Sequence, residues 1–269
     1  MRYKILQAVR DGGLLDAWDS LSFAKDRLRS ARANRRFMKA NPGFMPPPAD
    51  LAFDAYNNTR LDDYASLGRR QAEGFASLLK QHLDLSGGGT ARLLEWGCGP
   101  ARLIRHMPQL FAEEGLEVHG TDYNDRTIAW CKTAIPDVQF ALNGLNPPLP
   151  YEDGFFDGSY NFSVVTHLSR DVQLAWMSEL HRVLKQGGVL LATTHGKNFE
   201  HLVVSDEEKD RYASGEIVVQ SGYEEGKKWF FAIHPERFVK DELLKDFSQV
   251  EKLDGSPWGI TQDVWMARK

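Results

Sequence analysis

Between residues 91 and 195 the sequence alternates short apolar runs with segments of helical periodicity, and this alternation constrains the fold most strongly. The apolar runs are "RLLEW", "LEVHGTD", "VQFAL", "FFDGSYNFSVV" and "GVLLATTH". The segments of helical pattern between them cover residues 101–114, 124–134 and 170–185. Because strands joined by crossover helices form parallel sheets covered on both faces, the pattern predicts an α/β fold.

The last third of the chain adds two more predicted strands and an interruption. The runs "SQVEKL" and "TQDVWMARK" follow the helical segment "PERFVKDELLKDF". Together with the five earlier runs they predict a Rossmann-like, seven-stranded, mostly parallel sheet with helices on both faces. Residues 196–235 break this regularity with two β-like runs around a polar turn at Gly226, which predicts a small inserted hairpin that serves as a lid.

The segment before the sheet is basic and helical in pattern. Residues 1–88 are expected to form a helical extension that caps a cofactor pocket, and residues 89–269 the main domain. Positions 1–45 hold ten Lys or Arg against four Asp. One helical face carries four apolar residues, Leu14, Trp18, Leu21 and Leu28. Two interpretations of residues 14–39 follow. The helix docks on an anionic membrane or on a partner, or it packs on its own domain.

The composition of the chain argues against several other classes of protein. The net charge is -4, so no nucleic-acid partner is expected, because phosphate binding needs a basic face. No apolar run approaches the roughly 18 residues of a membrane span, so no transmembrane segment is expected. The two cysteines, Cys98 and Cys131, have neither zinc nor disulfide spacing, which predicts a reduced, cytoplasmic compartment.

The stretch "LLEWGCGPARLI", residues 93–104, reads as strand, tight turn and helix. A turn that binds a pyrophosphate needs glycine where this chain has Arg102. A ligand with ribose and adenine but no phosphates, such as S-adenosylmethionine, suits this turn better. Glu95 is then placed to meet the amino group of that ligand, and Asp122, 23 residues past Gly99, to accept bonds from the ribose hydroxyls.

Four motifs in order resemble the class I S-adenosylmethionine-dependent methyltransferases over about residues 90–200. They are "LLEWGCGPARLI", "GTDYNDRTIAWCK", "LNGLNPPLPYEDGFFDGSYNFSVVTHLSRD" and "WMSELHRVLKQGGVLLATTHG". The resemblance implies that S-adenosylmethionine is the cofactor and S-adenosylhomocysteine the product. It also implies a set of cofactor-binding residues, namely Glu95, Gly97, Cys98, Gly99, Asp122, Tyr123, Asn143, Gly144, Phe162, Tyr64 and Arg69.

Several of these residues have specific implied roles. Tyr123 covers one adenine face, and Phe162 lies near the methyl donor. Asn143 stands where many relatives have Asp, and its carbonyl oxygen can accept a bond from the adenine amino group. Tyr64 and Arg69 belong to the helix that precedes the sheet, where either one can close the methionine end of the pocket. Ala101 occupies the position of the family's third glycine.

His167 is the candidate general base, because "VVTHLSRD" follows the fourth strand at the edge where ligands bind. His195 and His234 are weaker candidates. A hydroxyl acceptor benefits from a base because it loses a proton as it attacks, whereas an amine or a carboxylate needs none.

The acceptor is the least constrained part of the hypothesis. Segments such as "PPLPYEDGFFD" resemble those of a subgroup of methyltransferases found beside bacterial glycosyltransferases. This resemblance implies a sugar or glycan hydroxyl as acceptor. The alternatives are O- or N-methylation of a small metabolite, a cofactor-binding module without catalysis, and a nicotinamide enzyme. We expect no metal at the site.

Overall fold

The computed structural model describes residues 13–85, 90–220 and 224–269. Within it the chain divides into a first unit, Met1–Leu67, and a second unit, Gly68–Lys269. The predicted domain boundary between residues 88 and 89 lies outside the described residues, and so do the first twelve residues. Among the helices that are described, no helix combines the length and the hydropathy that crossing a bilayer requires.

The first unit is helical. Helix α1 spans Leu15–Ala40, α2 spans Ala49–Tyr56, and α3 begins at Leu61 and runs to His82 in the second unit. Polar side chains of α1 bind the segment that leads into α3. Oδ2 of Asp26 accepts from both the N–H and the hydroxyl of Thr59 at 2.7 Å, and the Asn34 amide donates to the Thr59 carbonyl at 2.8 Å.

The opposite face of α1 is a continuous exposed stripe with spacings of three and four residues. Its first half is mainly apolar and its second half mainly cationic. The stripe consists of Leu14, Trp18, Leu21, Lys25, Leu28, Arg32, Arg36 and Lys39. Leu21 and Leu28 are 69% and 79% exposed. Residues at these spacings share one helical face, so we name them the α1 stripe.

The second unit contains the predicted seven-stranded sheet. Its strands are β1 Arg92–Trp96, β2 Glu117–Asp122, β3 Gln139–Leu142, β4 Phe156–Asn161, β5 Leu184–Thr194, β8 Gln249–Leu253 and β9 Asp263–Arg268. They lie in the order β3-β2-β1-β4-β5-β9-β8. Strands β1 to β5 are mutually parallel, and β9 is antiparallel to both of its neighbours, β5 and β8. The prediction of a mostly parallel, Rossmann-like sheet is confirmed.

Helices cover both faces of this sheet, as predicted. The covering helices are α4 Met107–Leu110, α5 Asp125–Ala134, α6 Arg170–Val183 and α8 Glu236–Phe238, with a π-helical turn at Val239–Leu243. Helix α7, Asp206–Ser214, has no buried residue and belongs to the inserted segment. Alternate residues of β5 enter two separate apolar layers, with Val189 and Leu191 in one and Leu190 in the other. The first layer also holds residues of α3 and α5, and the second holds residues of α6 and α8.

The single helix predicted over residues 101–114 is wrong. A 3₁₀ turn at Ile104–His106 and the four-residue helix α4 stand in its place. Ala101 has a left-handed φ of 56°, which no regular helix can include, and Pro108 lacks the N–H that would continue a helix. The chain therefore leaves the turn after β1 through short pieces.

The predicted hairpin is present within residues 196–235. Strands β6, Val218–Gln220, and β7, Phe231–Ile233, pair antiparallel and form a separate two-stranded sheet. A 3₁₀ helix at Lys197–Leu202 and helix α7 precede it, so the segment contains more helix than predicted. Residues 221–223 of the connecting turn are outside the described part of the chain.

Candidate functional site

The glycine turn after β1 adopts a backbone that few residues tolerate. Gly97 and Gly99 have φ values of 72° and 50°, in the left-handed region that glycine enters without steric cost. The N–H groups of Gly97 and Cys98 both donate to the Thr121 carbonyl at the end of β2. A Cβ at Gly97 would overlap the side chain of Val164. The turn is therefore packed against the exits of β2 and β4.

Asp122 fixes the geometry of this turn. One carboxylate oxygen accepts from the Gly99 N–H at 2.9 Å, and the other accepts from the Asn124 N–H at 2.9 Å. Asn124 itself caps α5 by accepting from the Thr127 N–H. Asp122 is buried, and it joins the glycine turn to the start of α5. A carboxylate held this way has a defined orientation toward a ligand over the turn.

Glu95 lies beneath the turn and is fully enclosed. It neighbours Tyr160 of β4 in the sheet, and the Tyr160 hydroxyl donates to its carboxyl group at 2.6 Å. Burial raises the pKa of Glu95 to about 8, although the bond from Tyr160 and the nearby Arg102 act in the other direction. The carboxyl group is therefore largely protonated near neutral pH until a cation binds beside it.

Asn143 follows β3 and holds an unsatisfied acceptor. Its backbone N–H donates to the Asp122 carbonyl at 3.1 Å, and its side-chain N–H donates to the Gly144 carbonyl at 2.6 Å. The Asn143 Oδ1 atom is buried, and it has no hydrogen-bond partner among the described residues. A buried carbonyl oxygen of this kind is costly unless a ligand supplies a donor.

One loop of the inserted segment connects Tyr123 with His167. The Tyr123 hydroxyl donates to the Gly226 carbonyl at 3.0 Å, and the Gly226 N–H donates to the His167 carbonyl at 2.9 Å. The Glu225 carboxylate also accepts from the backbone N–H of Ser169. The loop before β7 therefore lies across two residues that were predicted for different parts of the site.

The imidazole of His167 has a defined tautomer. Its Nδ1 lies 2.8 Å from the Phe230 carbonyl, which can only accept, so Nδ1 carries the proton and Nε2 keeps its lone pair. Burial lowers the pKa of His167 below its ordinary value, which keeps the ring neutral near pH 7. A neutral ring with a free acceptor nitrogen has the protonation state of a general base.

Of the two weaker candidates, His195 lies beside His167, and the backbone N–H of His234 donates to the His195 carbonyl. The His195 ring is 6.3 Å from the His167 ring and stacks on Phe199 at 4.0 Å. The His234 Nε2 donates to Gln173 at 3.0 Å. Burial lowers the pKa of His195 to about 2 and that of His234 to about 3. Such weakly basic rings suit structural roles better than proton abstraction.

Phe162 and Cys98 pack close to the turn. The Phe162 ring makes an edge contact with Phe75 at 6.0 Å, and the Arg102 guanidinium lies 5.5 Å from its centroid. Arg102 stands where a turn that binds a pyrophosphate would have glycine, and its guanidinium here faces an aromatic ring. Cys98 is buried and burial raises its pKa, which leaves it an unreactive thiol in the core.

The two residues predicted from the preceding helix have other contacts. Arg69 forms an ion pair with Glu73 at 2.9 Å and is 60% exposed. Tyr64 belongs to the first unit, where it packs against Phe44 at 6.1 Å and Tyr56 at 5.9 Å. Their roles at a cofactor stay predictions.

Sequence reasoning missed a polar network at the ends of β4, β5 and β9. The Ser163 N–H donates to Oγ1 of Thr193 at 2.7 Å. The Gln262 side chain accepts from that hydroxyl at 2.5 Å and donates to Oγ of Ser163 at 2.7 Å. Ser163 also has a left-handed φ of 64°. Only the position of Gln262 at the start of the last predicted strand hinted at this role.

Comparison with known proteins gives a partial match. Residues 94–192 match the family model described as a methyltransferase domain. The chain is 35% identical over 102 residues to a probable S-adenosylmethionine-dependent methyltransferase of Mycolicibacterium smegmatis, covering 38% of this chain and 37% of that protein. It is 30% identical over 126 residues to an uncharacterized methyltransferase of Synechocystis sp., covering 46% and 56% of the two chains.

The matched region therefore spans roughly a third to a half of these relatives. Among solved structures, the PH0226 protein of Pyrococcus horikoshii aligns with a TM-score of 0.50 at 17% identity. That alignment covers 78% of this chain and 95% of the other. At this identity the likeness concerns the fold alone.

Proposed function

We propose that this chain, in which residues 94–192 match a methyltransferase domain, transfers a methyl group from S-adenosylmethionine to a hydroxyl of a sugar or glycan. The observation that carries the proposal is the arrangement of Gly97, Gly99 and Asp122 inside the matched region. A carboxylate hydrogen-bonded to the turn at the carboxyl end of β1 suits a ribose above that turn.

The residues present fit this cofactor. The buried Asn143 Oδ1, which has no donor among the described residues, suits the adenine amino group. Gly144 and Tyr123 border the same region, and Tyr123 offers a ring for an adenine face. Cys98 provides backbone at the turn, and Phe162 provides an apolar wall near the methyl donor. When bound, S-adenosylmethionine supplies a sulfonium-bound methyl group and leaves as S-adenosylhomocysteine.

Glu95 supports the same assignment through its charge. A buried carboxyl group with a pKa near 8 becomes an anion readily when an ammonium approaches. The amino group of the methionine part is such a cation. We assign Arg69 to the methionine end as well, toward the carboxylate, and the role implied for Tyr64 stays a prediction.

His167 performs the proton transfer in this proposal. Its Nε2 takes the proton of the acceptor hydroxyl while the hydroxyl oxygen forms its bond to the methyl carbon. The Nδ1 bond to the Phe230 carbonyl holds the ring orientation and supports the positive charge that the ring acquires. A base of this kind contributes about 10² to 10⁴-fold, while holding the acceptor in line contributes roughly 7 to 11 kcal/mol.

The α1 stripe supports a peripheral contact through residues 14–39. The segment Leu15–Ala40 carries seven Lys or Arg against three Asp, and the apolar half of the stripe is exposed. An anionic membrane surface matches both properties, and a glycan on a lipid carrier is presented at such a surface.

Titration with S-adenosylhomocysteine tests the cofactor. Asp122→Ala is expected to weaken binding by about 1.5 to 3 kcal/mol, since it removes a charged acceptor. Asp125→Ala, an exposed acid three residues further on, is the matched control and should bind as the native chain does. Equal affinity for Asp122→Ala would remove Asp122 from the site, and saturable NADH binding without S-adenosylhomocysteine binding would replace the cofactor.

Transfer from labelled S-adenosylmethionine tests the reaction. The acceptor pools are free glycans, lipid-linked glycans and small metabolites. Label in a glycan supports the proposal. Label in a metabolite alone favours the small-molecule enzyme, and tight cofactor binding with no transfer to any pool favours a non-catalytic module.

A further inference from the structure

A polar cavity opens at the carboxyl edge of the sheet, beside the glycine turn. Strands β5 and β8 end at Thr194 and Leu253, and β9 begins at Asp263. Since β9 is antiparallel to both, these three points lie at the same edge. The cavity there has a volume of about 350 Å³. Its polar lining consists of Asn198, Lys252, Asp254, Ser256, Gln262 and Asp263.

The wall of this cavity is connected to the glycine turn by direct contacts. Gln262 lines the cavity and donates to Oγ of Ser163 at 2.7 Å. The next residue, Val164, packs so closely on Gly97 that a Cβ there would overlap it. The path from turn to cavity is therefore Gly97, Val164, Ser163 and Gln262, with each residue bonded to or touching the next.

The backbone of Ser163 is held in an uncommon conformation at this junction. A left-handed φ is unfavourable at a residue other than glycine, and such residues cluster where ligands are bound. Four hydrogen bonds to three side chains, those of Thr193, Gln262 and Thr166, stabilise it. Gln262 is thus a positioning residue that sets the cavity wall against the turn.

The lining selects the chemical class of ligand. Lys252 and Asp263 form an ion pair at 2.8 Å, so their charges largely cancel. Hydrogen bonds from Ser256 lower the pKa of Asp254, which is therefore an acceptor at neutral pH. Asn198 donates to the Thr261 carbonyl at 2.9 Å and keeps its own carbonyl oxygen as an acceptor.

This mixture of acceptors and donors suits hydroxyl groups, which both donate and accept. Two carboxylates against one ammonium disfavour an anionic ligand, and only Leu253 and Ile260 offer side chains for an apolar one. Small-ligand sites occupy roughly 300 to 1,000 Å³, so this volume suits a single ring with its substituents.

We infer that this cavity binds the acceptor and that the acceptor moiety is a neutral, polyhydroxylated ring of monosaccharide size. The inference rests on the proposed methyl transfer and adds the place where the acceptor binds, together with the size and the charge of the ring that binds there. The ring lies against Gln262 and Asp254, with one hydroxyl directed along the Ser163 edge toward the turn.

Ligand-observed saturation-transfer NMR on the chain loaded with S-adenosylhomocysteine tests this site. The probes are the methyl glycosides of glucose, mannose and rhamnose, with glucose 6-phosphate and catechol as anionic and aromatic comparisons. We expect at least one neutral glycoside to bind and to be preferred over both comparisons. Binding of no glycoside, or a preference for the phosphate or the catechol, would overturn the inference.

Ser256→Trp locates the binding, because the indole fills the cavity. It is expected to weaken glycoside binding at least fivefold and to leave S-adenosylhomocysteine affinity unchanged. Glu251→Trp is the matched control, since successive residues of β8 point to opposite faces and Lys252 faces the cavity. Should Ser256→Trp fail to fold, Asn198→Leu removes one polar group of the lining and is expected to weaken the same binding. Unchanged affinity in the folded variant places the glycoside elsewhere.

Transfer of label to the glycosides is measured separately. Binding that Ser256→Trp abolishes, without transfer in the native chain, contradicts the proposed reaction and leaves the cavity as the binding site. Transfer that persists undiminished in Ser256→Trp contradicts the cavity and leaves the reaction.

Discussion

At the scale of single residues, the site depends on two buried groups whose protonation states are displaced in opposite senses. Burial keeps Glu95 protonated to unusually high pH and keeps His167 neutral to unusually low pH. Around neutral pH both side chains are thus uncharged before ligands bind. In the proposed reaction Glu95 becomes charged beside the ammonium of the cofactor, and His167 becomes charged when it takes a proton from the acceptor.

His167→Gln is expected to lower the turnover of S-adenosylmethionine by about 10² to 10⁴-fold with little change in S-adenosylhomocysteine affinity. His82→Gln is the control, since that histidine lies at the end of α3. Because the pKa of His167 is lowered, the acid limb of the native pH profile should lie below the ordinary histidine value of about 6.5. Full activity of His167→Gln across pH would eliminate it as the base.

Glu95→Gln is expected to change how stability depends on pH. With a pKa near 8 when folded against 4.5 when unfolded, Glu95 binds more protons in the folded chain, so its contribution to stability falls as pH rises between those values. Relative to Glu95→Gln, the native chain should lose up to about 1.4 kcal/mol per pH unit across this window. Urea unfolding at pH 5, 6.5 and 8 measures it, with exposed Glu113→Gln as the control; parallel curves for native chain and Glu95→Gln would contradict the buried state.

At the scale of elements, the glycine turn and the loop before β7 carry the proposed chemistry, and the seven-stranded sheet holds the ends of the turn in place. Five parallel strands bring the exits of β1, β2 and β4 to one edge. The turn contacts the β2 exit through Thr121 and the β4 exit through Val164. A substitution in the turn therefore disturbs the ends of both β2 and β4.

Gly97→Ala is expected to destabilise the chain more than Gly187→Ala. Both glycines have left-handed φ values, 72° and 79°, so both variants bear the roughly 1 to 2 kcal/mol cost of that conformation. A Cβ at Gly187 meets nothing within 4 Å, whereas one at Gly97 overlaps Val164, which adds about 1 to 3 kcal/mol. Thermal and urea unfolding give the difference, and S-adenosylhomocysteine affinity should fall for Gly97→Ala alone. Equal losses would mean that Val164 moves aside freely.

At the scale of the whole molecule, charge is divided along the chain. The α1 stripe is cationic in its second half, although the chain has a net charge of -4. Salt screens such a field over about 10 Å, so the stripe acts on what lies next to it. The proposed function places an anionic bilayer next to it.

The double variant Arg32→Glu and Arg36→Glu is expected to reduce binding to vesicles containing phosphatidylserine at least tenfold, since each cation near such a surface contributes about 1 kcal/mol. Lys132→Glu with Lys245→Glu makes the same change of charge at exposed positions in the second unit. Vesicle flotation at low and high salt measures both. No binding by the native chain, or equal binding by the two double variants, would contradict a membrane contact.

The sheet was predictable from the sequence because each buried strand needs its own run of apolar residues, and such a run is recognisable locally. The site residues at the turn are close together in the sequence, since Glu95, Gly97 and Gly99 lie in one short stretch and Asp122 ends the next strand. Their meeting at one turn was therefore also predictable. Gln262 and Tyr160 act through partners 99 and 65 residues away, and no local pattern encodes such contacts. The prediction of a helix over 101–114 was wrong because it rested on apolar periodicity alone, which does not reveal the left-handed conformation of Ala101.

The backbone of Gly226 joins the two parts of the site. Its carbonyl accepts from the Tyr123 hydroxyl and its N–H donates to the backbone carbonyl of His167, so a displacement of this residue breaks both bonds together. In the proposed reaction Tyr123 borders the nucleoside and His167 borders the acceptor. Release of S-adenosylhomocysteine and release of the methylated product are then coupled through the same loop before β7.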